Sequence, residues 1–140
     1  PRVRAIVGLS TPSSLVDLVA ARHLRHDPVR VFLGSDATRD QPRARDASPA
    51  EWVEPSSPPI LSIHGTDDAW VPVDQARNLH KKLDAAGVTN RLIEIKGARH
   101  GFELKLGDPS PLDLTPVVQA FLESAWGLVQ RGVDLELIHD

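Results

Sequence analysis

"PPILSIHGTDDAWVP", Pro58 to Pro72, holds a short apolar run, Ile60 to His64, between two prolines and a polar turn that begins with Gly65. The run is too short for a helix and has turn-forming residues on both sides, so it reads as a buried strand. The residues after it, Val73 to Ala86, place Ala76, Leu79 and Leu83 on one helical face, with Gly87 where a C-terminal αL cap belongs. Arg91 to Ile95 reads as a second strand. Upstream, Val3 to Leu9 reads as a third strand, and Ser13 to Leu24, with its serine start and Leu15, Leu18 and Val19, reads as a helix. All three strands have the composition of sheet core. The segment from Gly34 to Pro59, "GSDATRDQPRARDASPAEWVEPSSPP", is polar and punctuated by proline, a connection of loop and short helical turns. Downstream, "LTPVVQAFLESAWGLV" offers Thr115 as N-cap and Pro116 at the first helical position of a helix running to Leu128, with Val133 to Ile138 a weaker strand candidate. Strands alternating with helices at these lengths predict an α/β architecture, a mostly parallel sheet flanked by helices.

The 140 residues are 41% hydrophobic and 25% charged, which suits one globular unit with a real core. Sixteen Lys and Arg stand against nineteen Asp and Glu, a net charge of -3, and no basic cluster is interleaved with aromatics. Nucleic acid is therefore not an expected partner; a small neutral molecule is. Cysteine is absent, which excludes disulfides, thiol catalysis and cysteine-based zinc sites and leaves the compartment open. No apolar run approaches the roughly 20 residues of a membrane span, and the first residues lack a signal-peptide pattern. Methionine is absent even at position 1, so the chain is expected to be the downstream part of something longer.

In an open α/β sheet, ligands bind outside the carboxyl ends of strands. Asp67-Asp68 and, in "KGARHGF" (Lys96 to Phe102), His100 each fall just past such an end and are expected to be neighbours in space. Acyl transfer needs an imidazole to take a hydroxyl proton and a carboxylate to hold that imidazole in one tautomer, and acid before histidine is the chain order of hydrolases with this architecture. Alone, Asp67 and Asp68 would fit turn chemistry equally well; His100 downstream tips the reading. The glycines flanking His100 are expected to permit close approach. His64 ends a buried strand, where its ring is expected to hydrogen-bond the neighbouring loop. A metal site from His64, Asp67, Asp68 and His100 has little support, since no two histidines have ligand spacing on a helix, and no cofactor is expected.

The segments "VFLG" (Val31 to Gly34), "ASPAEWV" (Ala47 to Val53), "PPILSIHGTDDAWVPVDQARNLHKKLDAAG" (Pro58 to Gly87) and "GARHGF" (Gly97 to Phe102) resemble the C-terminal half of α/β-hydrolase esterases. The likeness is to the acetylxylan and feruloyl esterase-like group, which shades into prolyl-oligopeptidase-like hydrolases, and covers residues 1 to 126. The resemblance implies a serine hydrolase acting on small carboxylic esters through a Ser-His-Asp triad. Asp68 matches the family's acid and His100 its catalytic histidine, while Asp67 and His64 match positions that vary or serve structure. On this reading residues 1–140 are the C-terminal portion of one α/β-hydrolase domain, with the nucleophile and most of the oxyanion hole upstream of Pro1 and the isolated chain inactive. A peptidase of the prolyl-oligopeptidase type and a non-catalytic binding module on a decayed hydrolase fold are the alternatives.

The resemblance also disposes of Ser10 in "VGLSTPSSL" (Val7 to Leu15), because the family's order is nucleophile, acid, histidine. A nucleophile elbow wants G-x-S-x-G, and Pro12 stands where the last glycine should be, biasing Thr11 away from the helical region. Trp52 and Trp70 are either pocket walls or loop anchors, and Trp126 is expected in the core. The charge run Arg39 to Asp46 reads as a solvated loop, and His23, His26 and His80 carry no signal. If the first strand is internal in a larger domain, here it is an exposed sheet edge, and self-association through it is expected.

Overall fold

The computed structural model describes residues 2–21, 28–34, 42–101 and 113–127. In chain order they form β1 (Ile6–Leu9), α1 (Leu15–Ala21), α2 (Pro28–Leu33), α3 (Pro42–Asp46), a single 3-10 turn (Pro49–Glu51), β2 (Ile60–Gly65), α4 (Asp74–Ala85), β3 (Asn90–Ile95) and α5 (Thr115–Ala125). The strands make a parallel sheet in the order β1-β2-β3, with Ile6 opposite Ile60 and Ile60 opposite Asn90. The α/β reading holds. Val133 to Ile138, the ends of the first and last helices, His23, His26 and Phe102 lie outside the described residues.

β2 is central, and every residue after Ile60 is buried. Side chains alternate across a strand, so Leu61 and Ile63 meet Leu114, Val117 and Phe121 beside α5, while Ile60 joins Leu79, Leu83 and Val88 beside α4 on the other face. The α4 expectation holds residue by residue, and Gly87 closes that helix with its N–H on the Asp84 carbonyl while the Val88 N–H reaches the Leu83 carbonyl. β1 is shorter than the expected Val3 to Leu9, and Ile6 and Leu9 are exposed, so β2 alone among the three strands is covered throughout.

The start of α1 is held by residues distant in sequence. Gln75 Oε1 accepts the amides of Ser13 and Ser14 at 3.0 and 2.7 Å, and Ser48 Oγ accepts that of Leu15 at 2.8 Å. A third core cluster of Leu15, Val19, Leu33 and Ala44 packs α1, α2 and α3 together. α5 starts one residue earlier than expected, at Thr115 rather than Pro116, with Leu114 as its cap and Asp113 Oδ1 accepting the Thr115 N–H. Trp126 is a correction, being 44% exposed. It lies nine residues beyond buried Val117, and at about 100° per residue that is the opposite face of the helix.

Candidate active site

Both expected site residues stand in loops at the carboxyl end of the sheet. β2 ends at Gly65, Thr66 and Asp67 turn the chain, and Asp68 folds back under its own loop, 6% exposed. Its Oδ1 accepts the backbone N–H of Trp70 at 2.9 Å and of Val71 at 2.8 Å. Its Oδ2 meets His100 Nδ1 at 2.8 Å. Burial pushes the Asp68 carboxyl up, but the bonds from the Val71 amide, the His100 ring and the Trp70 amide outweigh it and hold the group below its ordinary range. The His100 side chain is 40% exposed, so its ring has one edge on a buried carboxylate and another toward the surface.

The loop after β3 is stitched to the loop after β2 along its length. Thr66 N–H donates to the Ile95 carbonyl, Asp67 N–H to the Ala98 carbonyl, and Gly97 N–H to Thr66 Oγ1. A Cβ on Gly65 would stand 2.3 Å from the Ala98 carbonyl oxygen, so this glycine is where the two loops touch. The glycines beside His100 have a different role from the one expected. A Cβ on Gly97 or Gly101 would meet nothing within 4 Å among the described residues, and both have φ above +70°, a left-handed turn conformation that side chains disfavour.

The BD-FAE family profile matches residues 1–83 of the 140, from β1 into α4 and through Asp68. The chain belongs to the BD-FAE family. Esterase LipC of Mycobacterium tuberculosis is 44% identical over 61 residues, 43% of this chain and 15% of the relative. The probable carboxylic ester hydrolase LipM of the same organism is 27% identical over 134 residues, 94% of this chain and 31% of the relative. Among solved structures, a truncated carbohydrate esterase from gut microbiota superposes with a TM-score of 0.71 at 26% identity, over 89% of this chain and 44% of that one. The fold is that of α/β-hydrolase esterases, and this BD-FAE chain spans less than half the length of these relatives.

Other residues of the BD-FAE chain sort around the Asp68–His100 pair. Asp67 is exposed and accepts the Thr66 hydroxyl. His64 is buried, with Nε2 2.7 Å from the Val71 carbonyl oxygen, the loop bond expected of it, and also 3.4 Å from Asp68 Oδ2. Ser10 has φ +47°, and its buried Oγ has no hydrogen-bond partner among the described residues. A cavity of about 490 Å³, walled mainly by apolar groups of Leu9, Pro12, Leu18, Val29 and Trp70, also reaches His100. Trp70 is thus a wall, whereas Trp52 is an anchor whose Nε1–H donates to the Asp46 carbonyl. Thr66, which ties down the histidine loop, is a residue that sequence reasoning missed; its only signal was its place between the strand's glycine and the aspartates. Among the described residues no three His, Cys, Asp or Glu side chains gather as metal ligands, and no helix is long and apolar enough to cross a membrane.

Proposed function

We propose that the protein hydrolyses carboxylic esters through a Ser-His-Asp triad, with Asp68 as orienting acid, His100 as general base and the serine supplied by a part of the protein upstream of Pro1. The observation that carries this reading is the 2.8 Å bond between His100 Nδ1 and Asp68 Oδ2. A carboxylate only accepts, so the bond keeps the proton on Nδ1 and leaves the Nε2 lone pair to take a proton from a hydroxyl. The hydroxyl oxygen attacks the ester carbonyl carbon as its proton passes to Nε2. The tetrahedral intermediate then expels the alcohol, which leaves with that proton, and a water repeats the sequence on the acyl-enzyme to release the acid. Asp68, kept ionised by its amide donors, offsets the charge of the transient imidazolium. The activities named for LipC and the carbohydrate esterase support esters as the substrate class. The apolar cavity beside His100 suits an uncharged acyl or alcohol group.

The test is labelling of the full-length protein with a fluorophosphonate probe, with the adduct mapped by peptide mass, alongside hydrolysis of p-nitrophenyl acetate. The adduct is expected on a serine outside residues 1–140, and His100→Ala should nearly abolish hydrolysis. An adduct on Ser10 would overturn the division of the triad, and absence of both adduct and hydrolysis would overturn the reading itself.

A further inference from the structure

Asp68 has two histidine neighbours, and the triad uses one of them. His64 stands on β2 with 1% of its surface exposed, its Nε2 2.7 Å from the Val71 carbonyl oxygen and 3.4 Å from Asp68 Oδ2. A carbonyl only accepts, so Nε2 of His64 carries a hydrogen and donates it. Val71 is thereby held twice, its carbonyl by His64 and its amide by Asp68 Oδ1. The shorter contact of His64 is the carbonyl, which leaves Oδ2 to the 2.8 Å bond from His100. Among the described residues the charged groups about His64 are Asp68, in the loop after β2, and Glu94, its partner on β3, which is engaged by Arg77 through two bonds of 2.8 and 2.7 Å.

We propose that His64 is a positioning residue for the triad: its Nε2–H fixes the Val71 carbonyl, and with it the turn that sets how Asp68 Oδ2 meets His100. This rests on the Asp68–His100 reading and deepens it. Without the ring, the buried Val71 carbonyl loses its donor, the turn relaxes, and the two amides that orient the carboxylate move with it. A misplacement of about 1 Å in such a group is enough for a loss on the order of 10²-fold in rate.

His64→Gln keeps an N–H close to the position of Nε2, and His64→Leu removes it. In the full-length protein His64→Leu is expected to lower kcat about 10²-fold with KM nearly unchanged, and His64→Gln to recover most of that loss. The downfield proton resonance of the His100 Nδ1–H···Asp68 bond should shift or broaden in His64→Leu and return in His64→Gln. A lowered melting temperature in His64→Leu with kcat and that resonance unchanged would overturn the proposal. Should His64→Leu not fold, the ring nitrogen shifts of the ¹⁵N-labelled wild type decide: hydrogen on Nε2 of His64 supports the proposal, and the Nδ1–H tautomer sinks it. Asp68→Asn separates the two possible failures. Full turnover in Asp68→Asn defeats the triad reading, whereas lost turnover there beside wild-type turnover in His64→Leu defeats the role of His64 alone.

Discussion

Asp67 and Asp68 are adjacent carboxylates with opposite environments. Asp68 is buried and engaged through both oxygens, while Asp67 is exposed and accepts a neighbouring hydroxyl. In the full-length protein, Asp68→Asn is expected to cut turnover by about 10⁴, because an amide favours the wrong imidazole tautomer. Asp67→Asn should leave turnover largely intact and change stability by less than about 0.5 kcal/mol, since an exposed amide oxygen still accepts the Thr66 hydroxyl. Steady-state kinetics with thermal melts check both, and an equal or larger kinetic penalty at Asp67 would reassign the acid. The lowered Asp68 pKa also has a sign that can be worked out. A carboxyl depressed on folding adds stability that is fully present above its ordinary value of 3.8 and disappears as the pH falls through the lower folded value. The wild-type melting temperature should therefore drop below about pH 4, with a shallower drop in Asp68→Asn; parallel acid limbs would refute this. At this scale the sequence was readable where chemistry repeats in short motifs, as in the expected proximity of Asp68 and His100. It was not readable at Gln75, whose bonds to the Ser13 and Ser14 amides exist only once the first turn of α4 lies against the start of α1.

The loops after β2 and β3 behave as one element because their backbones bond to each other. Gly65 is the contact point, and the atom its Cβ would strike is backbone, which cannot swing aside as a flexible side chain does. Gly65→Ala is expected to cost about 1–3 kcal/mol and to lower kcat by moving His100 off Asp68. Differential scanning calorimetry and kinetics on the full-length protein would show this, and a variant with wild-type stability and rate would contradict it. Elements whose apolar periodicity is strong, β2 and α4, were legible in nearly their full extent. Ends were less so: α5 begins at Thr115 with Leu114 as its cap and Asp113 accepting the Thr115 N–H, a local contact that spacing does not distinguish from a Thr115 cap. β1 reads as core from its composition, yet its burial depends on what lies beside it, which composition does not encode.

Over the molecule as described, the free edge of β1 presents unpaired backbone groups beside exposed Val3, Ile6 and Leu9. The isolated 140-residue chain is expected to self-associate there, and Leu9→Lys to weaken that association by placing charge on the edge. Size-exclusion chromatography with light scattering decides, and a clean wild-type monomer with a cooperative melt would remove the argument. The strand register described above also sets an order of assembly in time. Ile60 pairs with Asn90 across α4 alone, whereas Ile6 pairs with Ile60 across α1, α2, α3 and the 3-10 turn. Chain closure becomes only slowly more expensive with length, so the difference lies in how soon closure is rewarded by packing, and α4 sits directly on the β2–β3 pair through Leu79, Leu83 and Ile60. The crossover unit should gain its amide protection first in pulse-labelling hydrogen exchange, and residues 6–9 later. Asp68 and His100 would then be brought together before the strand at the free edge has docked.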